Sequence, residues 1–140
     1  MPSCQERLIS NNAVVRCQEP IILPADSEPE PDVVIARGEP DDYLSNHPYP
    51  KDILLVIEVS NSTLDYDQTE KLSLYAEDQI QHYWIFNLVA NQLERYSQPY
   101  QDNMGNFGYR LKQISLQNET ATLPAFSNLL LDLNLVFPSV

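Results

Sequence analysis

The sequence predicts an α/β (α+β) fold, a mixed β-sheet with one crossover helix. Three observations point there. The run Ile53–Val59 is apolar on both parities except for Glu58, the mark of a strand buried on both faces. A helical pattern over 67–78 follows, and then a second apolar run at 82–86, so strand, helix and strand form a crossover with a parallel pair. Further strand-like runs flank this unit and supply antiparallel neighbours.

Taken in order, Ala13–Cys17 reads as a strand that Pro20 ends, and Ile21–Leu23 as a short second piece. Residues 24–31 form a proline-bounded loop that cannot pair continuously. Asp32–Ala36 is rich in β-branched residues and reads as a strand. Residues 37–52 hold three prolines and form a long connection to the central strand 53–59. Ser60–Thr63 is rich in helix-capping side chains. In the helix, Leu72, Tyr75 and Ala76 fall on one face, with Leu74 beside it. Gln92–Ser97 and Phe107–Ser115 read as an antiparallel pair joined by the loop 98–106. The tail 129–137 is apolar and reads as irregular.

A chain of 140 residues is expected to form one domain, and its 43 % hydrophobic content fits a globular core. Its apolar runs fall far short of the ~20 residues of a membrane span. The start, Met1–Gln5, lacks the basic residues and apolar core of a signal peptide, so the reading is a cytoplasmic protein with no membrane partner. Cys4 and Cys17 are read there as isolated thiols, since a zinc site needs four ligands. Three glycines supply no phosphate-cradling loop.

The net charge of −12, from 8 basic and 20 acidic residues, repels a phosphate backbone and argues against a basic-patch nucleic-acid reader. Acid is concentrated in 26–42, where seven acidic residues meet one base, Arg37. A stretch of that kind suits a solvated loop or a site where divalent cations neutralise the contact region.

Glu58 is the most informative position. A carboxylate inside an apolar strand costs several kcal/mol unless it is paired or coordinates a cation. The alternative is a cap acceptor, or a side chain already emerging to solvent. Asp32 opens its strand while Glu58 nearly closes the next, so antiparallel pairing brings both carboxylates to one end of the sheet. Two hard oxygen ligands with positions left for water suit Mg²⁺ or Mn²⁺. Taken alone, Asp32 is an ordinary turn aspartate. Lys71, near the start of the helix that leaves the Glu58 strand, can reach the same end and act on a water or a phosphate. Its alternative is a surface i,i+4 pair with Asp67. Tyr75 one turn on is packing or site lining, Ser60 caps the helix or lines the site, and Gln18 is a further polar lining candidate. His47 and His82 have no nucleophile partner and read as surface or packed histidines; Trp84 reads as core.

The residues Pro29-Glu30-Pro31-Asp32, Leu55-Val56-Ile57-Glu58-Val59-Ser60, Tyr66-Asp67 with Lys71 and Tyr75, and Tyr83-Trp84-Ile85 together resemble the Uma family of restriction-endonuclease-like proteins, within the PD-(D/E)xK nuclease superfamily. The resemblance runs from about Asn12 to Pro99. It implies a restriction-endonuclease-like core and metal-dependent phosphodiester hydrolysis on DNA. Asp32 and Glu58 would be metal ligands, with the main-chain carbonyl of Val59 as a third. The superfamily pattern puts a lysine two residues after the glutamate; here that position is Ser60, and Lys71 matches a lysine displaced to the helix. Family members typically carry an N-terminal helix and strands before the point matching Asn12, so the first core helix is expected to be missing: either Met1–Asn11 replaces it, or the sequence is a shortened paralogue or a mis-started product. A shortened chain would lean on a partner or a homodimer to cover its sheet. Two other readings stand beside the nuclease. One is an inactive relative serving as a binding or assembly module; the other is a metal-dependent hydrolase of small phosphoesters.

Overall fold

The computed structural model describes residues 7–10, 13–24 and 29–137. A seven-stranded sheet follows chain order: β1 (Arg7–Ser10), β2 (Ala13–Cys17), β3 (Val33–Arg37), β4 (Ile53–Ser60), β5 (His82–Asn87), β6 (Gln92–Gln101) and β7 (Phe107–Leu116). Neighbours are antiparallel except β4 and β5, which run parallel because a helical segment returns the chain to the starting end. That segment is two helices, α1 (Leu64–Gln68) and α2 (Glu70–Glu77). The single helix expected over 67–78 is broken at Thr69, whose φ of −120° and ψ of −78° leave the helical region. The Thr69 hydroxyl donates to the Asp65 carbonyl at 2.7 Å, the local side-chain bond by which threonine competes with helix continuation.

The strands alternate side chains between two cores, as a pleat requires. Val34, Ala36, Val56, Tyr83, Ile85 and Tyr96 face the helices, where Tyr75 and Ile80 join them. Ile35, Leu55, Ile57, Trp84, Phe86 and Leu93 face the other way. That second face is covered by a hairpin of β8 (Thr120–Leu123) and β9 (Phe126–Asp132), followed by the 3₁₀ turn Leu133–Leu135. The tail is therefore not irregular: Ala121, Leu133 and Phe137 bury against the sheet.

Ile21–Leu23 forms no strand. Pro20 and Pro24 deny it ladder donors, and its amides bond instead to the carbonyls of Pro29 (3.0 Å) and Pro48 (2.8 Å). The loop between β6 and β7 is shorter than expected, spanning 102–106, with Gly105 at φ +88° closing it. Cys17 is disulfide-bonded, which corrects the reading of two isolated thiols; Cys4 lies outside the described residues. So do residues 1–6, part of the stretch expected to replace the family's first helix.

Candidate active site

The register of β3 on β4 pairs Val33 with Ile57. One further step sets Asp32 opposite Glu58. By parity Asp32 follows Val34 and Ala36, and Glu58 follows Val56, so both carboxylates lie on the helix face. Each carboxylate then accepts from a backbone amide of the other strand. The Asp32 amide donates to Glu58 Oε1 at 3.1 Å, and the Val59 amide donates to Asp32 Oδ2 at 2.7 Å. This reciprocal clamp fixes two acids at the point where β4 ends.

Helix α2 contributes the remaining contacts to Glu58. Lys71 Nζ lies 2.7 Å from Glu58 Oε2, and the Tyr75 hydroxyl donates to the same oxygen at 2.9 Å. Lys71 and Tyr75 are four residues apart and so share one helix face. Lys71 thus reaches Glu58, as read from the helix start, and does not form the alternative surface pair with Asp67. Asp67 is buried and accepts from the hydroxyls of Ser60 (2.5 Å) and Thr63 (2.9 Å). Ser60 is thus neither an exposed cap nor a lining residue; it ties β4 to α1. Tyr75 is buried behind Glu58 and orients it. Gln18 is exposed and stands outside the cleft lining, although its amide bonds to the Asp32 carbonyl at 3.0 Å.

A cleft of about 420 Å³ opens over these groups, lined by Asp32, Glu58, Val59 and Lys71 with Glu30, Asp67 and the turn Asn61–Thr63. Sequence reasoning missed Asp67. Its signal was the hydroxyl-rich stretch Ser60–Thr63, which needs an acceptor once buried. It also missed Glu94, a second buried carboxylate on the helix face. Glu94 accepts from Gln68 of α1 at 2.8 and 3.0 Å, Asn87 at 3.0 Å and Tyr96 at 2.6 Å.

Burial pushes the Glu58 carboxyl above its ordinary value, partly offset by Lys71, the Asp32 amide and Tyr75. Burial pulls the Lys71 ammonium down, but Glu58 more than restores it, so it is held above its usual value. The lysine's direction follows from its 2.7 Å contact with Glu58. The glutamate's upward push is the cost of enclosing a side chain only 3 % exposed.

Among the described residues no three Asp, Glu, His or Cys side chains converge to enclose an ion on their own. The donor set is nevertheless the hard-oxygen kind. Two carboxylates open on one cleft, whose lining holds four acids and a single lysine. Mg²⁺ is commonly held by one or two carboxylates, keeping waters and taking substrate phosphate for the rest. The residues present fit such an ion.

A family model described as "Uma2: Putative restriction endonuclease" matches residues 4–134. The chain belongs to the Uma2 family. The match extends beyond the 12–99 stretch that carried the resemblance, taking in β7 and the β8–β9 hairpin. Among solved structures, the chain is similar to one described as a "putative nuclease belonging to DUF820" from Anabaena variabilis. The TM-score is 0.64 at 14 % identity, covering 91 % of this chain and 69 % of the other. That likeness places this Uma2 chain in a restriction-endonuclease-like fold. No curated protein matches the chain. Among the described residues no helix is long and apolar enough to cross a membrane.

Proposed function

We propose that this Uma2 protein is a divalent-metal-dependent endonuclease that hydrolyses DNA phosphodiester bonds. The observation that carries the reading is the clamp of Asp32 and Glu58 at one strand end, with the Lys71 amine 2.7 Å from Glu58. Asp32, Glu58 and the Val59 carbonyl would hold Mg²⁺ or Mn²⁺. Once bound, the cation lowers the pKa of a coordinated water and offsets phosphate charge.

The chain's own groups supply the rest. The backbone bonds between Asp32 and Val59 and between Glu58 and Asp32 hold the carboxylates without reorganisation. Tyr75 fixes the Glu58 rotamer from behind. Lys71, with a side chain 21 % exposed at the cleft wall, donates to the attacking water or to a phosphate oxygen as negative charge develops. A net charge of −12 repels DNA, so productive binding depends on the cation at the cleft. Cutting both strands calls for two such sites, which a homodimer provides.

The test is plasmid nicking with Mg²⁺ or Mn²⁺ against chelator, run beside calorimetric titration of Mn²⁺. Wild type should cleave only with metal, while Glu58→Gln and Lys71→Met should lose about 100-fold or more. Cleavage that persists in chelator, or is unchanged in both variants, overturns the reading. Absence of both Mn²⁺ heat and cleavage in the wild type favours a binding module. Turnover of mononucleotide esters without plasmid cleavage favours a small-phosphoester hydrolase.

A further inference from the structure

A second pocket, of about 530 Å³, lies on the opposite face of the sheet, beneath the turn of the β8–β9 hairpin. Its floor is one cross-strand row, Trp84 of β5, Arg95 of β6 and Gln113 of β7. Trp84 alternates with Ile85, the residue paired to Glu58, so the pocket and the nuclease cleft face away from each other. They also sit at different ends. The pocket includes His82 at the start of β5, whereas Glu58 stands near the end of the parallel strand β4.

Its chemistry departs from the rest of the molecule. The chain has 20 acidic residues, yet among the described residues none lines this pocket. Arg95 is its cation. Among the described residues the buried Arg95 Nε–H has no hydrogen-bond partner, and no ion pair forms on its guanidinium. A buried donor left unmet is uncommon, and a fixed guanidinium fork matches a carboxylate or phosphate. The walls are apolar: Leu111 (50 % exposed), Leu123, Pro124 and Phe126. A pocket of this size with apolar walls and one convergent charged group is the usual form of a small-ligand site.

We propose that this pocket binds a small organic anion, a carboxylate or phosphate monoester on a flat apolar body, with Arg95 holding the anionic group. The apolar body packs between Leu111 and the hairpin turn. This site is independent of the nuclease reading, since it shares no residue with that cleft.

The experiment is an NMR titration of the full chain with four probes: indole-3-acetate, its neutral amide, adenosine 5′-monophosphate and adenosine. Indole-3-acetate or the nucleotide should shift the Trp84 indole and Ser97 amide saturably, and whichever anion binds names the carboxylate or phosphate source. Its neutral counterpart should bind about tenfold more weakly or worse. Arg95→Met should abolish the difference between anion and neutral probe. Should Arg95→Met fail to fold, Leu111→Glu sets a carboxylate at the exposed rim and should remove anion binding while leaving Arg95 in place. Equal binding of charged and neutral probes overturns the proposal. So do anion binding undiminished in Leu111→Glu, and the absence of saturable shifts with either anion. Plasmid nicking by Leu111→Glu should match wild type, which separates failure here from failure of the nuclease reading.

Discussion

Removing the Lys71 amine should destabilise the fold more than removing both Lys71 and the Glu58 charge. In Lys71→Met the Glu58 carboxylate stays enclosed, 3 % exposed, with the Tyr75 hydroxyl and the Asp32 amide as its remaining donors. Stripping one partner from a fully buried ion pair costs about 3–5 kcal/mol. Lys71 is 21 % exposed, so solvent reduces the expected cost to about 2–3 kcal/mol. Adding Glu58→Gln removes the stranded charge; the amide oxygen can still accept from the Asp32 amide while its NH2 group donates to the Tyr75 oxygen. The double variant should therefore recover about 1–2 kcal/mol relative to Lys71→Met. Urea unfolding of the four proteins in a double-mutant cycle measures this. The sign of the pH effect is fixed as well. Burial raises the folded-state pKa of Glu58 above its unfolded value, so the folded state holds the proton more tightly. Its contribution is fully present below the unfolded pKa and is lost as pH rises through the folded one. The Lys71→Met deficit should thus shrink as pH falls into the carboxylate range. Costs that simply add in the double variant would refute the ion-pair account.

Three other outcomes follow from the same contacts. Tyr75→Phe removes the hydroxyl that orients Glu58, so it should cost about 1 kcal/mol in urea unfolding and lower the metal-stimulated cleavage rate about tenfold. Ser60→Lys, which restores the superfamily spacing, should destabilise by several kcal/mol and fail to rescue Lys71→Met cleavage. The reason is that Ser60 is fully buried against Asp67. Glu94 is pushed up by burial, but bonds from Tyr96, Gln68 and Asn87, with Lys112 nearby, outweigh this and hold its carboxyl below the usual range. Its contribution is present above the unfolded carboxylate pKa and is lost as pH falls through the lower folded value. Glu94→Gln should flatten this acid limb of the wild-type stability profile.

The one-dimensional pattern determined more of this protein than its tail suggested. Period-two alternation and the doubly apolar run gave β2 to β7, though not β1 or the β8–β9 hairpin, because burial on one or both faces leaves a direct trace in residue order. The parallel β4–β5 pair followed from the helical stretch between them, since a hairpin cannot join parallel strands. Glu58 was legible for the same reason: a lone acid inside an apolar run must find a partner. Asp32 followed from strand direction, and Lys71 from the helix start. Only the folded chain decided which partners these groups take. Lys71 could have met Asp67 four residues away or Glu58 thirteen away, and local spacing favours neither. The choice falls to burial, because Asp67 is already committed to Ser60 and Thr63 while, among the described residues, Lys71 is the cation bonded to Glu58. Glu94 and the Arg95 pocket were invisible for a related reason. Their partners come from β5, α1, β7 and the hairpin, brought together by strand register and sheet order. Register joins residues far apart in the chain, and no local pattern encodes which of them will meet.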